Sequence, residues 1–149
     1  MVHSFPHDLN NYEEIDVLAA GIGKVSDALD VIINNAATLV KGSFTEIDAE
    51  KIEHTFKVNY IAPALLIRKL IPLLRRSEHA HVVNIGSMAG YHGSVKFPGL
   101  SHYGASKAAL SSLSESLAVE YADEKISFNA IAMGSVQTEM LEEAFPGIQ

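Results

Sequence analysis

Residues 29–34 read Leu-Asp-Val-Ile-Ile-Asn, and residues 81–85 read His-Val-Val-Asn-Ile. Each is a short, nearly continuous apolar run rich in β-branched residues. That is the pattern of a strand covered on both faces, not of one alternating between core and water. Between them lies a longer stretch with helical spacing. Asp48 can cap a helix that begins Ala49-Glu50-Lys51 and runs to about Leu74, with Ile52, Phe56, Ile61, Leu65, Leu66 and Leu70 near one face. Pro63 and Pro72 should kink it or loosen its end. Strand, helix, strand in that order predicts a parallel α/β sheet.

The same alternation extends outward. Upstream, Asn10 or Asn11 can cap a helix from about Tyr12 to Gly21, with Ile15, Leu18 and Ala19 on one face. Gly21 and Gly23 stand where that helix should end. Val2 to Phe5 reads as a further strand, broken by Pro6-His7-Asp8. Downstream, a Gly- and Ser-rich loop from Gly86 to Leu100 leads to a helix opened by Ser101 and running to about Asp123. Its expected buried side is Ala109, Leu110, Leu113, Leu117 and Tyr121. Ile126 to Ile131 is the last clear strand. There is no internal repeat and no low-complexity segment.

Bulk composition narrows the partners. The 149 residues suit one domain, and 48% hydrophobic with 19% charged residues describes a globular chain. A formal charge of −7 argues against a nucleic-acid partner, which needs a concentrated basic face. The adjacent pair Arg75–Arg76 reads as two cations meeting a helix dipole. With no cysteine there is neither a disulfide nor a thiolate metal site, and the longest apolar stretch, Ile61 to Ile67, is too short to span a bilayer. No signal peptide is visible, so a soluble cytoplasmic protein, with no membrane partner, is expected.

In sheets of this kind ligands bind beyond the carboxyl ends of the strands, so the segments that follow each strand hold the candidate chemistry. Tyr103-Gly-Ala-Ser-Lys107 places a phenol and an ammonium four residues apart, on one helix face. A tyrosine with its ordinary pKa of about 10 is a poor acid–base catalyst at neutral pH, and a neighbouring cation favours its phenolate. Alone, that pair is more often an ordinary helix surface. However, the second strand is followed by Gly86-Ser87-Met-Ala-Gly90, which delivers a hydroxyl. The first is followed by Asn34-Asn35-Ala36-Ala37, whose small residues let a ligand approach the backbone. Val58-Asn59-Tyr60 puts an amide inside an otherwise apolar helix, where it must satisfy a core hydrogen bond or act. The last strand is followed by Gly134-Ser-Val136-Gln-Thr138.

Other patterns carry less. Gly21-Ile-Gly23-Lys24 lacks the third glycine of a dinucleotide turn and the spacing of a P-loop, and it follows a helix. Ser87 is flanked by Ile85 and Ala89 where a hydrolase elbow has glycines. His79 and His81 have no partner at metal-ligand spacing, so they read as solvated loop histidines and no metal site is expected.

Taken in order, Asn-Asn-Ala, Val-Asn, strand-Ser, Tyr-x-x-x-Lys and Gly-x-Val-x-Thr resemble the classical short-chain dehydrogenases/reductases, over residues from about Asp8 to Met140. The resemblance implies an α/β, partial Rossmann-like (doubly wound) parallel sheet and hydride transfer between NAD or NADP and a ketone or secondary alcohol. It implies Tyr103 as proton donor or acceptor at the substrate oxygen. Lys107 would hold the nicotinamide ribose and lower the tyrosine pKa, Ser87 would bond the substrate oxygen, and Asn59 would anchor a relay water. Asp8 would touch adenine, Asn34, Asn35 and Ala36 would line the cofactor, and Gly134, Val136 and Thr138 would contact the nicotinamide. The helices starting near Asp48 and Ser101 resemble the family's dimer-forming pair, which implies a homo-oligomer. Departures from the pattern are Ala37 in place of a glycine, Met133 in place of a proline, and a longish loop from Ser87 to Tyr103.

The sequence has no Gly-rich phosphate turn after a first strand and no ribose-selecting residue beyond it. Against the order 3-2-1-4-5-6, the strand ending near Asp8 corresponds to strand 3. The first βαβα unit is then lacking, strand 3 is orphaned, and strand 4 has an open edge. Residues 1–149 are therefore expected to form one partial domain, the catalytic middle of a longer reductase, inactive by itself. Two rival readings follow from the same residues. One is a non-catalytic interaction or structural module, which the missing turn favours and the intact Ser87, Tyr103 and Lys107 disfavour. The other is a sugar-nucleotide epimerase-like protein, which Ala36–Ala37 favour and Asn34, Asn35 and Asn59 disfavour.

Overall fold

The computed structural model describes residues 1–147. Helix α1 spans Tyr12–Val25, and strand β1 Val31–Asn34. Helix α2 (Ala49–Phe56) continues through a π-helical turn (Lys57–Ile61) into α3 (Ala62–Leu74). Strand β2 is Ala80–Ile85, followed by a 3₁₀ turn at Met88–Gly90. Helix α4 is Ser101–Glu120, β3 is Ile126–Ile131, and α5 is Glu139–Ala144. The sheet is parallel, in the order β1-β2-β3, with Asn34 opposite Asn84 and Ile85 opposite Ile131.

The caps are those the sequence supplies. Asn11 accepts from the Glu13 N–H at 3.0 Å, and Asp48 from the Lys51 N–H at 2.8 Å. The long central helix is interrupted where Pro63 stands. Proline has no N–H for the carbonyl of Asn59 four residues earlier, and the chain widens there into a π turn in which the Ala62 N–H reaches the Lys57 carbonyl. Pro72 lies two residues before the end of α3. Arg75 leaves the end of α3 to form a two-point ion pair with Glu124, and Arg76 donates to the Asp27 carbonyl. Both arginines therefore tie surface segments together.

One face of the sheet carries the core. Ile32, Val82, Ile126 and Phe128 pack against Ile67, Leu70, Ile71 and Leu74 of α3, flanked by Leu117, Ala118 and Tyr121 of α4. A fully buried Leu or Ile contributes about 1.5–3 kcal/mol, so α3 is the chief apolar support of the strands. The other face is bare: Val31 is 53% and Ile33 61% exposed, with His81, Ser127, Asn129 and Ile131 beside them. The expectation of strands covered on both faces is thus half met among the described residues. The helical layer lies on one side only.

Three further expectations need correction. Val2–Phe5 forms no strand, because β1 pairs only with β2 and no neighbour is in place to accept the backbone of residues 2–5. There is accordingly no orphan strand, although the open edge at β1 is as expected. Gly21 and Gly23 do not end α1, which continues to Val25. Gly21 makes room instead: a Cβ there would stand 3.1 Å from the Phe5 ring. The deeply buried side of α4 also proves more polar than expected. Leu110 is buried, but it shares that side with Gly104, Ser106, Lys107 and Ser114.

Candidate active site

The end of β2 and the start of α4 are locked together by two glycines. A Cβ on Gly90 would lie 2.6 Å from the Ala108 nitrogen and 2.8 Å from the Lys107 carbonyl carbon. A Cβ on Gly104 would lie 2.8 Å from the Ala89 carbonyl oxygen. Such distances admit no side chain, so backbone meets backbone. This contact carries the loop after β2 onto the first turn of α4 and brings Ser87 to Tyr103. The loop is also pinned to the end of β3, since the Gly86 N–H donates to the Ile131 carbonyl (2.9 Å) and the Met88 N–H to the Met133 carbonyl (2.8 Å). Ser87 is extended and caps the 3₁₀ turn by accepting from the Ala89 N–H at 3.1 Å.

Tyr103 and Lys107, one helical turn apart, line the same cavity as Ser87. Burial pushes the Tyr103 phenol above its ordinary pKa, and a hydrogen bond from Ser87 opposes that rise in part. Burial also brings the Lys107 ammonium down to about 8. Lys107 is 2% exposed, and its Nζ donates to the Ile85 carbonyl at 2.7 Å. The expected lowering of the tyrosine pKa by this lysine is therefore not what the geometry gives. The ammonium is engaged at the end of β2, and loss of solvent governs the phenol, which stays protonated at neutral pH.

Asn59 stands behind this centre, fully buried in the π turn. Its Oδ1 accepts from the Thr38 N–H (2.8 Å), and its Nδ2 donates to the Thr38 carbonyl (2.9 Å) and to Ser106 Oγ (3.0 Å). Ser106 in turn donates to the Tyr103 carbonyl at 2.7 Å. The amide thus clamps the segment after β1 to the turn of α4 that bears Tyr103.

The cavity, about 570 Å³, opens at the carboxyl ends of all three strands. Asn35, Gly134, Val136 and Thr138 line it as expected, and Thr138 also caps α5 by accepting from the Leu141 N–H at 3.2 Å. Three expected residues are elsewhere. Asn34 points into the sheet, where its Nδ2 donates to Asn84 Oδ1 at 2.8 Å and Asn84 passes the chain to Ser114 Oγ at 2.8 Å. Ala36 is exposed and off the cavity wall. Asp8 is exposed at the entry to α1, where it accepts from the Asn10 N–H at 2.9 Å. With no second strand beside it, Asp8 is not brought to the site. Among the described residues no group of His, Asp or Glu could hold a metal.

Sequence reading missed Gly90, Gly104, Ser106 and the Asn34–Asn84–Ser114 ladder, together with the α5 wall. Matched asparagines at the ends of both apolar runs were the available signal for the ladder. Gly90 and Gly104 flank Ser87 and Tyr103 in the sequence, but their mutual contact is tertiary.

The residues that line the cavity fit the nicotinamide end of a dinucleotide: an ammonium at the mouth of β2, a small-residue floor at Asn35, and the 134–138 segment opposite. They include no Gly-rich turn for its pyrophosphate.

Comparison with known proteins agrees. The family model described as short chain dehydrogenase matches residues 1–149. Nodulation protein G of a Rhizobium species is 31% identical over 95% of the chain and 57% of its own length. The rhamnolipids biosynthesis 3-oxoacyl-[acyl-carrier-protein] reductase of Pseudomonas aeruginosa is 36% identical over 92% and 54%. Among solved structures, the Pseudomonas aeruginosa RhlG/NADP active-site complex superposes with a TM-score of 0.85 at 35% identity, covering 93% of this chain and 55% of that one. A short chain dehydrogenase from Salmonella enterica gives 0.87 at 29% identity, over 96% and 59%. The chain thus spans little more than half the length of these relatives. It belongs to the short-chain dehydrogenase family.

Proposed function

We propose that the parent enzyme reduces a ketone to a secondary alcohol with NADPH or NADH, and that residues 1–149 form one partial domain holding its acid–base centre. The observation that carries this reading is a half-buried Tyr103 standing with Ser87 and Lys107 on the wall of one cavity. From that wall the Tyr103 hydroxyl can give its proton to a carbonyl oxygen as the carbonyl carbon takes the hydride, with the bound dinucleotide expected to draw the phenol pKa back down. Ser87 donates to the same oxygen as negative charge develops there. Lys107 would hold the ribose, and Asn35, Gly134, Val136 and Thr138 would flank the nicotinamide ring. The bound nicotinamide would supply the hydride.

Asn59 acts in this reading through the clamp it forms, and its backbone carbonyl, freed by Pro63, is the candidate anchor for a relay water. Two neighbours of known structure hold NADP, which supports a nicotinamide dinucleotide as the hydride carrier. We further propose a cytoplasmic homo-oligomer assembled through the α2–α3 and α4 helices, a placement compatible with the lack of cysteine. Among the described residues, no helix is long and apolar enough to cross a membrane.

The test is Tyr103→Phe in the protein completed to the length of its relatives. Turnover of a ketone should fall by about 10²–10⁴-fold with cofactor affinity retained. Unchanged turnover would remove Tyr103 from the mechanism.

A further inference from the structure

The cavity has two unlike ends. Near Ser87, Tyr103 and Lys107 it is polar, whereas Leu39, Val95, Phe97, Met140, Leu141 and Phe145 wall the remainder. Lys107 is the one charged residue among those that line it, and its ammonium already serves the Ile85 carbonyl. A carboxylate or phosphate entering the apolar end would lose its water, and the nearest cation, Lys41, lies behind the Phe145 ring and already serves the Ala144 carbonyl, so the cost is not offset. Val95 and Phe97, 77% and 50% exposed, leave apolar surface in water beside a reactive centre. A ligand's own apolar surface would cover it.

That apolar wall is assembled at Lys41. Its Nζ donates to the Ala144 carbonyl at 2.7 Å and stands 3.8 Å from the centre of the Phe145 ring. The cation thus takes up a carbonyl at the C-terminal end of α5, where the helix itself supplies no partner. Next to it, the Gly42 N–H donates to the Gly99 carbonyl at 3.1 Å. Gly99, at φ +84°, comes so close that a Cβ on it would lie 3.1 Å from Lys41 Cγ. Three separate segments, those after β1, after β2 and after β3, therefore meet at one side chain.

We propose that the site takes ketones whose substituents are apolar and uncharged, and that Lys41 is the positioning residue holding α5 as a wall of that slot. The substrate type rests on the carbonyl reduction proposed above, while the wall does not.

The 149-residue chain can be titrated with the environment-sensitive ketone propionyl-dimethylaminonaphthalene and with a carboxylate-bearing analogue of it. Saturable, blue-shifted emission is expected for the neutral ketone, and about tenfold weaker binding for the carboxylate. Leu141→Asp should weaken the ketone about tenfold, and Lys41→Met about fivefold, with Lys41→Arg restoring it. Amide exchange at Leu141–Phe145 should quicken in Lys41→Met and not in Lys41→Arg. Val31→Glu on the bare sheet face should leave the titration unchanged. Equal affinity for the two probes, no saturation, a signal lost with Val31→Glu, or Lys41→Met matching the wild type would each overturn the proposal. The titration needs neither dinucleotide nor turnover, so a failure of the catalytic reading leaves this readout intact.

Discussion

The two walls of the cavity are built on opposite plans. The wall made by residues 86–90 and α4 is backbone against backbone, fixed by Gly90 and Gly104 and backed by the Asn59–Ser106 clamp. It carries the proposed chemistry, and it is tied to the strand ends by the Gly86 N–H on the Ile131 carbonyl and by Lys107 on the Ile85 carbonyl. The opposite wall is made by three segments that share one lysine, a six-residue helix and half-exposed apolar side chains. It carries the selectivity. Rigid support suits groups that must be placed to within a fraction of an ångström, while loops on a fixed scaffold are where specificity varies.

The sharpest way to break this contrast is at the glycine contact. Gly104→Ala puts a methyl group 2.8 Å from the Ala89 carbonyl oxygen. Overpacking of this kind costs about 1–3 kcal/mol, which exceeds the 0.5–1 kcal/mol that alanine gains over glycine in a helix. A net loss of about 1–2 kcal/mol is expected in urea denaturation. Gly23→Ala in α1, with nothing within 4 Å, should instead gain about 0.5–1 kcal/mol. If both substitutions shift stability alike, the interlock is not tight.

A smaller effect should appear with pH. Lys107 has a folded pKa near 8 against an ordinary value of 10.5. Between those values the unfolded chain binds more protons than the folded one, so stability should rise as pH rises through that window. Lys107→Met should flatten the rise. An identical slope in both proteins, measured by denaturation at several pH values, would show that the ammonium is not buried.

Legibility followed the same division. Strands β1, β2 and β3 could be read because their apolar runs are local, as could Ser87, Tyr103 and Lys107, because each sits at a fixed offset from a strand end or along a helix. Val2–Phe5 misled because a strand needs a neighbour, and neighbours are not encoded locally. Asp8, Ala36 and Asn34 were assigned to the cofactor through the resemblance. The structure uses Asn34 in a buried ladder and leaves the other two on the surface, since the elements that would bring Asp8 to the cavity are not in the sequence. Lys41 and α5 were invisible for another reason. One lysine on a loop and six residues of helix make no periodic pattern, and their meaning lies in contacts across 103 positions.

The claim beneath all of this is that Ser87 and Tyr103 share one desolvated cavity. Carbon-13 labelling of the five tyrosines, with NMR titration of wild type and Ser87→Ala, tests it without any substrate. The Tyr103 phenol should titrate above the ordinary value of about 10 and move higher still once the serine hydroxyl is removed. A Tyr103 pKa at or below the ordinary value, or one indifferent to Ser87, would contradict the account.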